Sequence, residues 1–450
     1  MLAVAAPLVA LPASAQEAPP VPLSIAFSPE DHEPIVMRVR DAGFVVKAQD
    51  GGWRLMCASA LAVSGNSNFF IDGVPGGGLL VTHYNGVQKG DAALCDWRFP
   101  DAALEDRHVV TATRQGDRID VLSTADNRYT IHRSTDGGES FALIAELPEP
   151  LAYLSLEAAP SDPDRLYLTA VDFDFDSGVT TRYLYRTDDG GESFTQHDLE
   201  LGQQSGARLA GVDPDDPDRV YLAFAQPVSS HSHGDEEHVV DELLVSADGG
   251  ESWTRLQEIG LFGGLGIGPA AGELWLADAD GGLLRSTDRG ASFEALDIDI
   301  RASCVHVRGD RVWICGDSAR GDAFSIGYTE DQGGSFTGVM RFDEVEGLLQ
   351  CGGVAISGCD AAWAGWMFWH NIDAGVPDPV GHEDAGPSAR MDASVDDGGR
   401  QEPSPSLDAQ DEGGDGDDGG CDCRVSGAGD LGASAPLLLA LLALVRRRRR

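Results

Sequence analysis

Short segments in which apolar residues alternate with polar ones, or run together for a few positions, recur between residues 30 and 370. Clusters of Gly, Pro, Asp and Ser separate these segments. Segments of this length bounded by turn residues are typical of β-strands rather than helices. The pattern is most regular in five units, which are 109–141, 154–194, 208–253, 264–293 and 302–336. We therefore predict an all-β structure built from repeated units.

An eight-residue box closes each of these units. In the third unit the box is Ser246–Trp253, with the sequence SADGGESW. The other copies are STDGGESF, TDDGGESF, STDRGASF and TEDQGGSF, which begin at residues 134, 187, 286 and 329. Ser, Thr and Asp side chains hydrogen-bond to nearby backbone groups, Gly adopts positive φ, and a terminal aromatic can pack into a core. The box therefore predicts a hairpin turn with its own anchor.

The box resembles the Asp-box, or BNR repeat, of sialidase-like β-propellers. The resemblance implies that each box joins the outer two strands of a blade, away from the face that is catalytic in those families. It implies a structural role for the box aspartates, which are Asp136, Asp189, Asp248, Asp288 and Asp331. The boxes begin 53, 59, 40 and 43 residues apart, which suits four short strands per unit and one array of repeats.

Two weaker units precede these five. Pro34 to Val46 leads into a shortened box at Asp50–Trp53, and Gly78 to Gly86 leads to Cys95-Asp96-Trp97. Seven units can close into a ring, which protects the strand edges. We expect Leu348 to Trp369, with its aromatic run, to return to the first blade as a closing strand. The predicted fold class is an all-β, seven-bladed β-propeller over residues 30–370, followed by a disordered acidic stalk and a short C-terminal apolar helix.

Six cysteines lie in the propeller region, at Cys57, Cys95, Cys304, Cys315, Cys351 and Cys359. An even set in an exported protein is typical of disulfides. Cys304 and Cys315 bracket a hairpin-like run, which places them opposite each other within disulfide range. We expect Cys351 and Cys359 to close a short loop and Cys57 to pair with Cys95. Free buried thiols are the alternative.

The N-terminal segment indicates export. Met1 to Ala15 is apolar and ends in Ala13-Ser14-Ala15, the small-residue pattern that precedes signal-peptidase cleavage. A positively charged n-region is missing, and a buried N-terminal strand is the alternative. The formal net charge of -42 and the pI near 4.3 argue against binding to nucleic acid or an anionic membrane through a general basic surface. We expect an exported monomer with no nucleic-acid partner.

The composition changes near residue 371. Residues 371–420 are rich in Asp, Gly, Pro and Ser and cannot bury a core, which predicts a disordered acidic linker. Weak Ca²⁺ binding is the alternative to a solvated stalk. Residues 421–450 contain Cys421-Asp422-Cys423, an apolar segment from Leu431 to Val445, and Arg446 to Arg450.

This three-part tail resembles the MYXO-CTERM sorting signal of myxobacterial surface proteins. The resemblance implies that Cys421 and Cys423 belong to a processing motif and that a sorting protease and the membrane are partners during export. It also implies display at the outer-membrane surface of a Gram-negative, myxobacterium-like cell. Because the apolar segment is short for a bilayer and arginines stop transfer, a retained C-terminal anchor is the alternative.

Two insertions carry candidate metal ligands. Asp172, Asp174 and Asp176 occupy alternate positions; a turn there could ligate Ca²⁺, whereas a strand would place all three on one solvent face. His231, His233 and His238 lie beside acidic residues in the second insertion and could bind zinc. We expect a solvated hairpin and a polar loop, with no resident metal or cofactor.

Sialidase-like catalysis finds little support in the residues. Sialidases use an arginine triad, a Tyr–Glu nucleophile pair and an Asp, with an Arg-Ile-Pro-like motif near the first strand. Here that position holds Arg38-Val39-Arg40-Asp41, without proline, and no spacing selects a Tyr–Glu pair.

We therefore expect a non-catalytic binding or scaffolding module at the cell surface, with a protein or glycan ligand that the sequence does not identify. The alternative is a glycoside hydrolase, which needs two carboxylates facing one bond. Acids and arginines clustered at the mouth opposite the box turns would favour the hydrolase.

Overall fold

The computed structural model describes residues 20–61, 70–76, 78–148, 151–174, 177–201, 206–225, 241–268 and 270–370. In these residues seven sheets follow one another along the chain, each built from four consecutive antiparallel strands. The prediction of an all-β, seven-bladed β-propeller is confirmed. The predicted stalk and C-terminal apolar helix lie outside the described residues.

The first four blades use strands β1 to β16. Blade 1 consists of β1 (Pro22–Phe27), β2 (Pro34–Val39), β3 (Gly43–Lys47) and β4 (Trp53–Met56). Blade 2 consists of β5 (Ile71–Val74), β6 (Gly78–His83), β7 (Gly86–Gly90) and β8 (Trp97–Arg98). Blade 3 consists of β9 (His108–Gln115), β10 (Arg118–Ala125), β11 (Arg128–Ser134) and β12 (Ala142–Glu146). Blade 4 consists of β13 (Ala152–Ala158), β14 (Leu166–Phe173), β15 (Thr180–Thr187) and β16 (Thr195–Asp198).

The remaining blades and the C-terminal elements follow in order. Blade 5 consists of β17 (Ala207–Val212), β18 (Val220–Ala225), β19 (Asp241–Ser246) and β20 (Thr254–Ile259). Blade 6 consists of β21 (Phe262–Ile267), β22 (Leu274–Asp278), β23 (Gly282–Ser286) and β24 (Glu294–Ala295). Blade 7 consists of β25 (Cys304–Arg308), β26 (Arg311–Cys315), β27 (Ile326–Thr329) and β28 (Thr337–Met340). After blade 7 come β29 (Val345–Leu348), β30 (Gln350–Cys351), β31 (Val354–Ala355) and helix α1 (Asp360–His370). Three short 3-10 turns span Ala58–Leu61, Ser318–Arg320 and Phe342–Glu344.

The hydrophobic core lies between neighbouring blades. In β14, Leu166 and Leu168 pack against blade 3, while Tyr167, between them in sequence, packs against blade 5. Alternate residues of a strand point to opposite faces of its sheet, so a strand buried on both sides is apolar at nearly every position. This explains the continuous apolar runs in the middle strands of the blades.

The ring closes where blade 7 meets blade 1. Strand β25 contacts β1, and the Phe27 and Trp313 rings lie 5.6 Å apart across the seam. Arg311 Nη1 and Glu33 Oε1 form an ion pair across the same seam at 2.6 Å. Because β1 begins at Pro22, the first blade includes residues before position 30, where the sequence analysis began the propeller.

The prediction that the chain returns to blade 1 is confirmed, but the prediction that the aromatic run forms the closing strand is wrong. The chain does return to blade 1, where β29 pairs in parallel with β4 as a fifth strand. The aromatic run predicted to form that strand instead forms α1. Alanines favour the helix, and Asp360 lies in its first turn, where a negative charge matches the helix dipole. Trp366 is buried in this helix and contacts Phe342 edge to face at 4.9 Å.

Three disulfides connect the six cysteines of the propeller. The predicted Cys304–Cys315 bond is confirmed, and the two residues are cross-strand partners in β25 and β26. The other two predicted pairings are wrong, because the bonds are Cys57–Cys359 and Cys95–Cys351. The parallel pairing of β29 with β4 carries the C-terminal segment beside blades 1 and 2, so its cysteines meet partners about 300 and 250 positions earlier rather than each other. Three disulfides are typical of an extracellular or exported protein.

Candidate functional site

The five boxes form equivalent turns between the third and fourth strands of blades 3 to 7. In the box of blade 5, Ser246 Oγ donates to Asp248 Oδ1 at 2.7 Å and accepts from the Gly250 backbone N–H at 2.8 Å. Asp248 also accepts from the Ser252 backbone N–H at 2.9 Å and from its hydroxyl at 2.5 Å. These bonds to the two serine side chains and the backbone hold the pKa of Asp248 at about 2.

The other boxes repeat this geometry. The first Ser or Thr and the last Ser of each box donate to the box aspartate, and burial affects these exposed carboxyls little. The four remaining aspartates, all with lowered pKa, are Asp136, Asp189, Asp288 and Asp331. The box residues are therefore occupied by the turn itself.

The box turns define one face of the ring, here called the box face. Box glycines and the turns after the innermost strands lie side by side, because Gly137 N donates to Asp117 O and Gly249 N donates to Asp218 O, at 3.0 and 2.8 Å. Gly249 and Gly250 have φ of 72° and 98°, a conformation that glycine adopts without strain. The opposite face, here called the loop face, carries the turns between second and third strands and the connections between blades.

The innermost strands surround a channel whose wall is charged near the box face. Arg114, at the end of β9 just before its turn, pairs with Asp72 of β5 at 3.0 Å between Nη1 and Oδ2. The same guanidinium donates to the Gly73 carbonyl. On the neighbouring strand β13, Glu157 Oε2 accepts from Thr113 Oγ1 at 3.1 Å.

Arg308 of blade 7 lies on the far side of blade 1 from this cluster. Its guanidinium carbon lies 5.0 Å from the centre of the Phe27 ring. Its charge and those of Asp72 and Arg114 influence one another, although blade 1 separates their strands along the ring. The electrostatic influence of Arg308 therefore extends past the innermost strand of blade 1 to the Arg114–Asp72 pair.

The charged residues of the innermost strands have a net charge opposite in sign to that of the chain. Among the innermost strands β1, β5, β9, β13, β17, β21 and β25, the arginines are Arg114, Arg208 and Arg308 and the carboxylates are Asp72 and Glu157. Three positive and two negative charges leave a formal charge of +1, against -42 for the whole sequence. Burial raises the pKa of Glu157 to about 7, which removes part of its negative charge near neutrality.

Water reaches these arginines although protein surrounds them. Arg208 and Arg308 are exposed, yet desolvation lowers the pKa of both. That combination is expected for side chains in a narrow, water-filled passage. Burial also raises the pKa of Asp72, while the charges of Arg114 and Arg308 oppose the rise. The guanidinium groups of Arg208 and Arg308 are therefore only partly hydrated.

The sequence does not predict these channel residues. Their signal was weak, because any charged residue on a first strand of a unit could face the channel or a neighbouring blade. The cluster of acids and arginines that would favour a hydrolase does exist. It lies toward the box face, however, rather than at the opposite mouth of the channel.

Carboxylates on the loop face mostly bind backbone groups. Asp278 accepts from the backbone N–H groups of Gly260 and Leu261, each at 3.0 Å, and Asp241 accepts from that of Phe262 at 2.7 Å. Burial and the nearby charge of Asp278 raise the pKa of Asp241. These two acids fix the connection between blades 5 and 6.

The candidate metal ligands are only partly described. Asp172 lies on β14 opposite Thr181 of β15, and Asp174 accepts from the Ser177 hydroxyl at 2.5 Å in the following turn. Asp176, His231, His233 and His238 lie outside the described residues, as do Cys421 and Cys423. Among the residues that the structure describes, no group of three or more His, Cys, Asp or Glu side chains is arranged to hold a metal ion. Within the same residues no helix combines the length and the apolar character that a membrane crossing requires.

Comparisons with known proteins find a partial match to one family model. A family model described as Sortilin-Vps10 (Sortilin, neurotensin receptor 3) matches residues 129–260, less than half of the chain. A comparison with curated proteins finds no match.

Solved structures similar to this chain include a GH74 xyloglucanase from Xanthomonas campestris, with 15% identity, a TM-score of 0.34 and coverage of 70% of this chain and 64% of that chain. They also include the hydrazine synthase of Kuenenia stuttgartiensis (13% identity, TM-score 0.47, 70% and 96% coverage) and YCF48 from Cyanidioschyzon merolae (16%, 0.38, 60% and 84%). The chain thus spans less than two thirds of the xyloglucanase. Identities and TM-scores this low give no information on activity.

Proposed function

We propose that this protein is an exported, surface-displayed β-propeller that binds a ligand without transforming it, and that its channel takes a small anion. The observation that supports the proposal is the electrostatic influence of the exposed Arg308 on the Arg114–Asp72 pair of the innermost strands. The pair is internally neutral, so Arg308 supplies a positive charge that the pair does not cancel.

Electrostatics favour an anionic ligand at this point. Walls of low dielectric constant concentrate the field of a charge in a cleft, so an isolated guanidinium acts over a longer range in a channel than on an open surface. Guanidinium groups also match the geometry of carboxylate and phosphate oxygens. The acidic exterior would repel anions in general and leave the channel as the attractive position.

Features of the sequence and the covalent structure support export and display. Disulfides persist in oxidising compartments; two of the three connect blades 1 and 2 to the C-terminal segment, and the third lies within blade 7. The apolar N-terminus resembles a signal peptide, and the Cys-Asp-Cys, apolar and arginine segments resemble a surface-sorting signal.

A glycoside hydrolase is the competing function, and Glu157 is the observation that favours it. A carboxyl with a pKa of about 7 is a typical general acid. However, Asp72 contacts Arg114 and Glu157 contacts Thr113, which are adjacent in β9 and point to opposite faces of that strand. The two carboxyls therefore lie on different sides of β9 rather than across one substrate bond.

Isothermal titration calorimetry with citrate and inorganic phosphate tests anion binding. We expect both to bind the wild-type protein and to bind Arg308→Ala at least about tenfold more weakly, as expected for loss of a charge-assisted hydrogen bond. Arg255→Ala is the matched control, because Arg255 is an exposed arginine on outer strand β20. The proposal would be contradicted if neither anion bound to the wild-type protein, or if anion binding were weakened equally in both variants.

Release of reducing sugars from a panel of plant and bacterial polysaccharides tests the competing function. We expect no release. Hydrolysis by the wild type that is abolished in both Asp72→Asn and Glu157→Gln would establish the hydrolase instead.

A further inference from the structure

We propose that the loop face carries a glycan-binding platform, in which Tyr84 stacks on a β-linked, equatorially substituted hexopyranose and the polar groups beside it bind the hydroxyls. Tyr84 lies in the turn between β6 and β7, and 59% of its side chain is exposed. Among the large hydrophobic side chains that the structure describes as exposed, Tyr84 and Phe368 are the aromatic ones.

One face of the Tyr84 ring packs against a neighbouring ring, and the other face is open to solvent. The ring of His108, at the start of β9, lies 4.7 Å from it at an angle of 31°, close to a stacked arrangement. Burial lowers the pKa of His108, so its imidazole is neutral near pH 7. An exposed, uncharged aromatic face held in a fixed orientation suits an uncharged, flat ligand.

The backbone around the platform is rigid. Asn85 N donates to His83 Nδ1 at 3.0 Å, and Asp106 N donates to Asn85 O at 2.8 Å. Gly86 has φ of 133°, and a Cβ at this position would lie 2.3 Å from the Leu104 carbonyl oxygen. The turn therefore packs directly on the connection between blades 2 and 3, and only glycine permits that contact.

Polar side chains flank the aromatic ring. Asn85 and Asp106 are exposed beside it and offer planar groups that can pair with adjacent hydroxyls. Arg107 is held by Ser123 Oγ at 3.1 Å and Thr130 Oγ1 at 2.6 Å, which fixes the strand that carries His108. A planar aromatic beside planar hydrogen-bonding groups is complementary to a sugar ring.

The chemistry of the ligand follows from the platform. A β-linked glucose or N-acetylglucosamine unit has equatorial substituents, so its axial C–H groups form a flat apolar face. C–H groups are attracted to the electron-rich face of an aromatic ring, while the equatorial hydroxyls remain free to bond at its edge.

This platform is independent of the channel. His108 and Arg114 are six positions apart on β9, which is roughly 20 Å along a strand. The platform lies at the loop-face end and Arg114 at the box-face end. Failure of either site would therefore leave the other unaffected.

Saturation-transfer NMR and calorimetry with cellohexaose and chitohexaose test the platform. We expect at least one of them to bind with saturation transfer to pyranose C–H protons, and Tyr84→Ala to bind at least about fivefold more weakly. Tyr84→Phe should retain most of the affinity because it keeps the ring. Phe368→Ala, which removes an aromatic side chain that is 69% exposed on α1, is the matched control and should bind like the wild type.

Three outcomes would overturn the platform. They are absence of binding to both oligosaccharides, equal binding by Tyr84→Ala and the wild type, and a loss in Tyr84→Phe as large as that in Tyr84→Ala. Because Tyr84 is exposed, its substitution should leave the melting temperature within a few degrees of the wild type. Asn85→Ala gives a second readout and should weaken binding without removing saturation transfer to the stacked C–H protons.

Discussion

Individual carboxyl groups of this protein have pKa values that are shifted in opposite directions. The box aspartates are exposed and accept several hydrogen bonds, so their charged forms are stabilised and their pKa values fall. Glu157 has a single hydroxyl donor in a desolvated position, so its neutral form is favoured and its pKa rises to about 7. The box aspartates fix turns, whereas Glu157 makes the channel sensitive to pH.

Replacing Asp248 by Ala should lower the free energy of unfolding by about 0.5–1.5 kcal/mol, since the hydrogen bonds to Ser246 and Ser252 are lost at an exposed turn. Glu251→Ala, in the same box, is the control and should change the stability by less than about 0.5 kcal/mol. Urea unfolding of both variants measures the difference. Equal stability of the two variants would show that the aspartate does not anchor the turn.

Glu157→Gln should remove a dependence of stability on pH. The folded state binds a proton at Glu157 up to about pH 7, whereas the unfolded carboxyl ionises near 4.5. The folded state therefore holds more protons between these values, and its stability falls as pH rises through this window. Melting temperatures across the window should fall less in Glu157→Gln than in the wild type. The affinity for citrate should also depend less on pH in Glu157→Gln than in the wild type, because protonation of Glu157 makes the channel more positive. Parallel pH profiles of the two proteins would contradict this role of Glu157.

Elements fixed by local chemistry were predictable, and elements fixed by distant contacts were not. The boxes were found because Ser246, Asp248 and Gly250 form their turn within a few residues. Pairing of Cys57 with Cys359 depends on where β29 docks, which no local pattern encodes. The aromatic run in α1 was mistaken for a strand because apolar runs suit both structures.

The same limit applied to the candidate site. Arg114 and Arg308 stand out only when the ring brings blades 3 and 7 across the channel from each other. Their sequence context shows charged residues near the ends of strands, but it does not indicate that Arg114 and Arg308 influence each other. Tyr84 lay in a predicted strand-and-turn segment, but its exposure depends on how blade 3 packs beside it.

The C-terminal segment acts as a clasp over the ring seam. Cys57–Cys359 and Cys95–Cys351 tie it to blades 1 and 2, so opening the ring requires both the seam contacts and the clasp to separate. Replacing Cys57 and Cys359 by Ser should lower the free energy of unfolding by about 3–5 kcal/mol, because the bond closes a longer loop than the hairpin bond does even with Cys95–Cys351 intact. Replacing Cys304 and Cys315, which close a short hairpin, should cost less. Thermal unfolding of the two double variants measures the order, and a larger loss from the hairpin bond would contradict the clasp.

At the scale of the whole molecule, the ring separates structural and binding roles by position. The boxes and inner-strand turns hold one face together, the channel concentrates positive charge, and the loop face presents Tyr84. The net charge of -42 argues against nucleic acid as a partner, which would need an extended basic surface, and the proposed ligand of the channel is a small anion.

The proposed surface tether has its own test in the complete chain. Changing Cys421 and Cys423 to Ala should prevent processing, so that the arginine-bearing tail stays attached and the protein is retained in the membrane where sorting begins. Mass spectrometry of the mature C-terminus measures this. Recovery of intact Arg446 to Arg450 on the wild-type surface protein would favour a simple membrane anchor.

Hydrogen-exchange mass spectrometry with citrate tests the central claim, a channel that binds anions, most directly. We predict slower exchange in peptides covering β5, β9 and β25, which carry Asp72, Arg114 and Arg308, with little change in the outer strands of the same blades. The effect should disappear in Arg308→Ala and persist in Arg255→Ala. Protection confined to the box turns or to the loop face, or no protection at all, would contradict an anion site in the channel.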